Sequence, residues 1–159
     1  MNTYSYDRKA AVEYASKWAI GRNPAYYNFD KIGGDCTNFA SQCIFAGCKT
    51  MNYAKDVGWY YISLNNRAAA WTDAQFLYNF LVRNEKNGPF AKEVTLDRLS
   101  EGDLVQLFNG REHYHSLVVM KIERGEIFVG AHSNDVHMYP LRNYFGMIKH
   151  GLHIEGVRR

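Results

Sequence analysis

The chain has 159 residues, 47% of them hydrophobic, 15% aromatic and 22% charged. That length suits one domain (residues 1–159) with a real core, and 9 Phe, 3 Trp and 12 Tyr argue against disorder. Its 19 basic and 16 acidic residues leave a formal charge of +3, too weak to imply nucleic acid as the main partner. No apolar run approaches the roughly 18 residues of a membrane span. The N-terminal stretch is too polar for a signal peptide, so the protein is expected to be cytoplasmic as made, with any export by a non-Sec route.

Residues 7–20 predict an amphipathic helix, with Ala11, Ala15, Trp18 and Ala19 at helical spacing and Gly21 as a stop. A loop follows, carrying Tyr26, Tyr27, Phe29 and a Gly33-Gly34 pair. Residues 36–47 predict a second helix, buried through Phe39 and Cys43 and ended by Gly47. The next segment, to Ala70, is irregular but rich in Tyr and Trp, its rings expected mostly to close the core. Thr72 and Gln75 fit a capping box that opens a helix through Leu81, and Asn87-Gly88-Pro89 ends that segment. Strands are then expected at 102–110, 113–121, 126–132 and 148–154, with a hairpin turn at Glu123-Arg124-Gly125. Helices first and an antiparallel sheet second is an α+β layout.

Three cysteines, Cys36, Cys43 and Cys48, give no disulfide scaffold and leave a thiol unpaired. Cys36 follows two glycines at the first turn of its helix. There the helix dipole favours a thiolate, and free N–H groups can hold an oxyanion. Most free cysteines are small buried hydrophobes, which is also the expectation for Cys43. His115 opens an apolar strand and His132 ends the next. A hairpin between them would bring both rings together, so that Cys36 attacks, His115 takes its proton, and His132 or Asn134 fixes the imidazole. A competing reading places His113, His115 and His132 around a metal, since 113 and 115 alternate along one strand. His137, His150 and His153 have no partner in this pattern and are expected at the surface.

The segments Gly34-Asp-Cys-Thr-Asn-Phe-Ala-Ser-Gln-Cys43, Glu101-Gly-Asp-Leu-Val105, His115-Ser-Leu-Val-Val119 and Ala131-His-Ser-Asn-Asp135 resemble the Putative amidase domain family. These are small papain-like cysteine hydrolases akin to CHAP and NlpC-type cell-wall enzymes. The resemblance implies a papain-like α+β fold, Cys36 as nucleophile, His115 as base, and His132 or Asn134 as orienting residue, with Asp35 and Asn38 shaping the turn. It implies amide hydrolysis through a thioacyl-enzyme in peptidoglycan or another peptide substrate, by a monomer with no metal or cofactor. Two other readings share the residues: a papain-like toxin or effector domain (protease, deamidase or acyl transferase), and a catalytically idle binding version of the fold.

Overall fold

The computed structural model describes all 159 residues, Met1–Arg159. A two-residue strand, β1 (Thr3–Tyr4), precedes the first helix, α1 (Arg8–Trp18). The Asp7 carboxylate starts α1 by accepting the Ala10 N–H at 3.0 Å, and Ala11 and Ala15 bury its inner face. After a loop comes α2 (Cys36–Cys48), whose residues are buried on nearly every side. An apolar helix with no solvated face belongs at the centre of a fold, and α2 lies between α1 and the sheet.

The irregular middle holds a small hairpin, β2 (Tyr61–Ser63) and β3 (Asn66–Arg67), then α3 (Ala69–Thr72) and α4 (Ala74–Arg83). Its tryptophans are core, as expected: Trp59 and Trp71 are fully buried with ring centroids 4.7 Å apart. Each indole N–H reaches a side chain of α2, Trp59 to Ser41 Oγ and Trp71 to Asn38 Oδ1, both at 3.0 Å. The cap of α4 is Asp73, not Thr72: its carboxylate accepts the Phe76 N–H at 2.9 Å. Gln75 is thereby released for another partner.

The remaining strands are β4 (Gly88–Val94), β5 (Leu104–Phe108), β6 (His113–Glu123), β7 (Glu126–Ala131), β8 (Val136–Pro140) and β9 (Ile148–Arg158). They form an antiparallel sheet in the order β1-β9-β5-β6-β7-β8, with β4 on the other edge of β9. The architecture is α+β, a few helices on one large antiparallel sheet. Arg124 and Gly125, both at positive φ (51° and 78°), turn β6 into β7 as the sequence predicts. Besides the two- and three-residue strands β1, β2 and β3, two longer strands were not foreseen. Pro89 and the charges of β4 hide its pattern, and Pro89 is accepted because β4 pairs on one side only. The outer strand β8 is half exposed and lacks an apolar stripe. No helix is long and apolar enough to cross a membrane.

The sheet is buried on both faces. The helix-bearing face packs Leu104, Val118, Met120, Leu152 and Ile154 against α1, α2 and α4. The opposite face gathers Leu99, Val105, Leu107, Leu117, Val119, Val129 and Leu141.

Gly47 does not end α2, which runs to Cys48 and closes on Lys49 at φ 55°. It is a contact point instead. A Cβ there would meet Tyr6 Cε1 at 2.5 Å and the Asp7 carbonyl at 2.7 Å. Gly47→Ala is therefore expected to lower stability by about 1–3 kcal/mol through overpacking, although alanine suits a helix better than glycine. The check is a urea midpoint that falls at unchanged m-value.

Candidate active site

Gly33 and Gly34, at φ 80° and 95°, turn the chain into α2 where side chains would be strained. Asp35 occupies the N-cap position, yet its carboxylate makes no cap bond to the helix. It faces away, fully buried, and gathers four partners. The Phe29 N–H donates at 2.8 Å, Asn38 Nδ2 at 2.9 Å and His132 Nδ1 at 2.6 Å, while Arg22 Nε pairs with it at 3.4 Å. The first turn of α2 is thus anchored while its backbone N–H groups lack a side-chain cap. Uncapped N–H groups beside a thiol suit a developing oxyanion.

Cys36 is the first residue of α2 and is partly exposed, whereas Cys43 and Cys48 are buried. The backbone N–H of Ser116 lies close enough to favour the charged form of the thiol, which sets Cys36 against β6 one residue from His115. Pairing of β7 with β6 ends at Val118–Gly130, so at this point β6 is paired with β5 alone and its other edge is open. A buried chain of hydroxyls and amide fixes the approach. Ala74 O accepts from Gln106 Nε2 at 2.9 Å, which also donates to Ser116 Oγ at 3.1 Å. Ser116 Oγ lies 2.9 Å from Thr37 Oγ1, and Thr37 Oγ1 lies 3.7 Å from Cys36 Sγ.

Burial pushes the Cys36 thiol up, and the charge of Asp35 adds to the push; hydrogen bonds from Ser116 and Thr37 only partly oppose it. The helix start therefore does not produce the lowered thiol expected from sequence, because desolvation outweighs it. Burial also pushes His115 below the usual imidazole value. The Tyr144 ring lies 6.3 Å from that of His115, and the loop bearing Tyr144 is held by Lys149 Nζ, 2.8 Å from its carbonyl. Beside Cys36 is a cavity of about 180 Å³, whose wall includes Gly33, Asp73, Glu112 and Tyr114. Three larger cavities lie elsewhere and contain none of the predicted site residues.

His115 and His132 do not meet. Opposite Leu107, His115 shares the face away from the helices, whereas His132 stacks on Phe39 of α2 at 4.1 Å. Both nitrogens of His132 are engaged, Nδ1 with Asp35 and Nε2 with the Trp18 carbonyl at 2.8 Å. Asn134 is exposed in a turn at φ 56°. His115 has no side-chain hydrogen bond to either.

The three-histidine metal arrangement is overturned by a bulge. Phe108 pairs with His113 and Leu107 with His115, so Tyr114 is the extra residue. The bulge turns His113 to the helix face and leaves His115 on the other. All three histidines assigned to the surface have partners, His137 Nε2 with Ser16 Oγ at 3.3 Å on the exposed side. His150 Nδ1 lies 2.8 Å from His113 Nε2, and His153 Nδ1 lies 2.7 Å from the buried carboxylate of Asp103. No local pattern marks these pairs, since each joins residues far apart in the chain.

His132→Ala strips a buried carboxylate of its closest partner. It is expected to cost about 3–5 kcal/mol of stability, read as a fall in denaturation midpoint. A loss of activity without any loss of stability would instead assign His132 a purely chemical role.

The chain is 34% identical over 141 residues to "Uncharacterized protein YhbB" of Bacillus subtilis (strain 168). The match covers 85% of this chain and 44% of that relative, so the chain spans less than half the length of the curated protein it matches. No significant match was found among solved structures. The family model described as Putative amidase domain matches residues 5–154, nearly the whole chain. A family of that description suggests a hydrolase of amide bonds, and this chain belongs to the Putative amidase domain family.

Proposed function

We propose that the protein is a papain-like cysteine amidase, one domain akin to CHAP and NlpC-type enzymes, that cleaves amide bonds through a thioacyl-enzyme. The observation that carries this reading is the seat of Cys36. It is a partly exposed thiol at an uncapped helix start, with the Ser116 N–H beside it one residue from His115. Cys43 and Cys48 have no such setting.

In this mechanism Cys36 Sγ attacks the carbonyl carbon of the scissile amide while His115, which meets the thiol past the open edge of β6 on the side of Tyr144, the ring near both, takes the thiol proton. The N–H groups of the first α2 turn hold the oxyanion. As the C–N bond breaks, His115 returns the proton to the leaving amine. Water, deprotonated by His115, then attacks the thioester, releasing a carboxylic acid and restoring the thiol. The resting pair is a neutral thiol and a neutral imidazole, because burial disfavours the charged form of each. Asp35 and His132 are positioning residues that fix the start of α2. Asn134 stays a weaker candidate for orienting the base, since it lies exposed in the turn after β7.

Peptidoglycan is the substrate we favour, at stem or cross-bridge amides. This rests on the likeness to cell-wall hydrolases, and the net charge of +3 suits an anionic wall.

Cys36→Ala is expected to lower cleavage of purified peptidoglycan by roughly a thousandfold or more, with released fragments read by mass spectrometry. No cleavage by wild type would remove the cell-wall substrate, and equal cleavage by both would remove Cys36 from the mechanism. Iodoacetamide should modify Cys36 much faster than Cys43, and equal rates would contradict an accessible nucleophile.

A general base works in its neutral form, so a His115 pushed below the usual imidazole value of about 6.5 keeps activity as pH falls through that value. The acid limb of kcat/KM is expected below pH 6.5. An acid limb above that pH would exclude a His115 shifted in this direction as the base.

A further inference from the structure

Three strands bring Glu93 of β4, His113 of β6 and His150 of β9 to one point on the helix-bearing face. One ligand atom from each lies within 4.8 Å of the others. His113 Nε2 is 2.8 Å from His150 Nδ1, which is 3.7 Å from Glu93 Oε1. His113 is buried, His150 half-buried and Glu93 exposed, so the cluster is open on one side.

The surroundings fix how these groups present themselves. Gln75 Oε1 lies 2.8 Å from the His113 backbone N–H and 2.8 Å from His113 Nδ1. A backbone N–H only donates, so Gln75 turns its oxygen to both atoms. An amide oxygen only accepts, so His113 carries its proton on Nδ1. That leaves the Nε2 lone pair aimed at His150. The Tyr78 hydroxyl donates to Glu93 Oε1 at 2.8 Å, and its ring stacks on His113 at 4.2 Å. Phe108 packs against both imidazoles. An outer amide that sets the histidine tautomer and an outer hydroxyl that holds the carboxylate are the usual supports of a metal-ligand set.

We propose that Glu93, His113 and His150 bind a divalent cation of zinc type, through His113 Nε2, His150 Nδ1 and a Glu93 carboxylate oxygen. Two imidazole nitrogens and one carboxylate, with a fourth position open to water, match zinc rather than calcium or magnesium, which prefer all-oxygen sets. Zinc–nitrogen bonds of about 2.0–2.1 Å at a tetrahedral angle need the two nitrogens about 3.3 Å apart. Half-buried His150 has the freedom to open the pair by that amount. The site ties β4 and β9 to β6 two residues from His115, and it does not depend on the role given to Cys36.

The test is calorimetric titration of the chelator-stripped 159-residue Cys36→Ala protein with zinc, a substitution that removes the partly exposed thiol as a rival ligand. One zinc per chain is expected, with a tetrahedral visible spectrum when cobalt replaces zinc. Adding either His150→Ala or Glu93→Gln should weaken binding by about tenfold or more. Glu93 is exposed, so the second variant decides if the first fails to fold. Absence of zinc binding by Cys36→Ala, or affinity unchanged by the folded variants, would overturn the proposal.

Discussion

The Asp35 carboxylate is the interaction on which the rest of the site depends. Fully buried, it joins the loop at Phe29, helix α2 at Asn38, Arg22 beyond α1, and His132 at the end of β7. A carboxylate removed from water must be met by donors from every side. Meeting that demand pulls four separate stretches of chain to the point where α2 begins. It also takes the side chain that would ordinarily cap α2, and so leaves the N–H groups beside Cys36 without a side-chain cap.

Arg22 extends the cluster outward to Asp30 and Asp135, with hydrogen bonds of 2.7–3.1 Å. The glycine turn is thereby braced against the turn after β7, and the Ser133 hydroxyl adds a bond to the Asp35 N–H at 3.1 Å. Rigid support of this kind costs nothing at the moment of reaction, which is the condition for electrostatic help to a transition state. A second buried carboxylate does similar work at the far side of the sheet. Asp103 holds Arg8, His153 and the Ser100 and Ile154 N–H groups, and so ties α1 to β5 and β9. Both anchors occur where helices cross onto the sheet.

The Tyr114 bulge separates two histidines that a regular strand would have kept together. It sends His113 into the helix-side layer with Gln75, Tyr78 and His150, and leaves His115 toward Tyr144. Alternation along a strand is reliable only while the pairing is regular. One inserted residue therefore changes which imidazoles can share a site.

Periodicity alone located α1, α2, α4 and the strands β5, β6, β7 and β9, because each carries an apolar stripe or a turn signal that local sterics enforce. It also isolated Cys36, whose glycine pair and helix start are local features. It missed β1, β2 and β3, too short to show a period, and β4 and β8, where proline, charge and half-exposure erase the stripe. It misread Gly47 because a close approach by Tyr6 and Asp7 leaves no local trace. The sequence by itself determined the α+β class, the principal elements and the one thiol placed at a helix start. Only the tertiary structure decided which histidines face which partners, that Asp35 holds His132, and that burial raises the thiol. Those outcomes depend on register, on a bulge and on desolvation, which arise between segments far apart in the chain and are written in no single one of them.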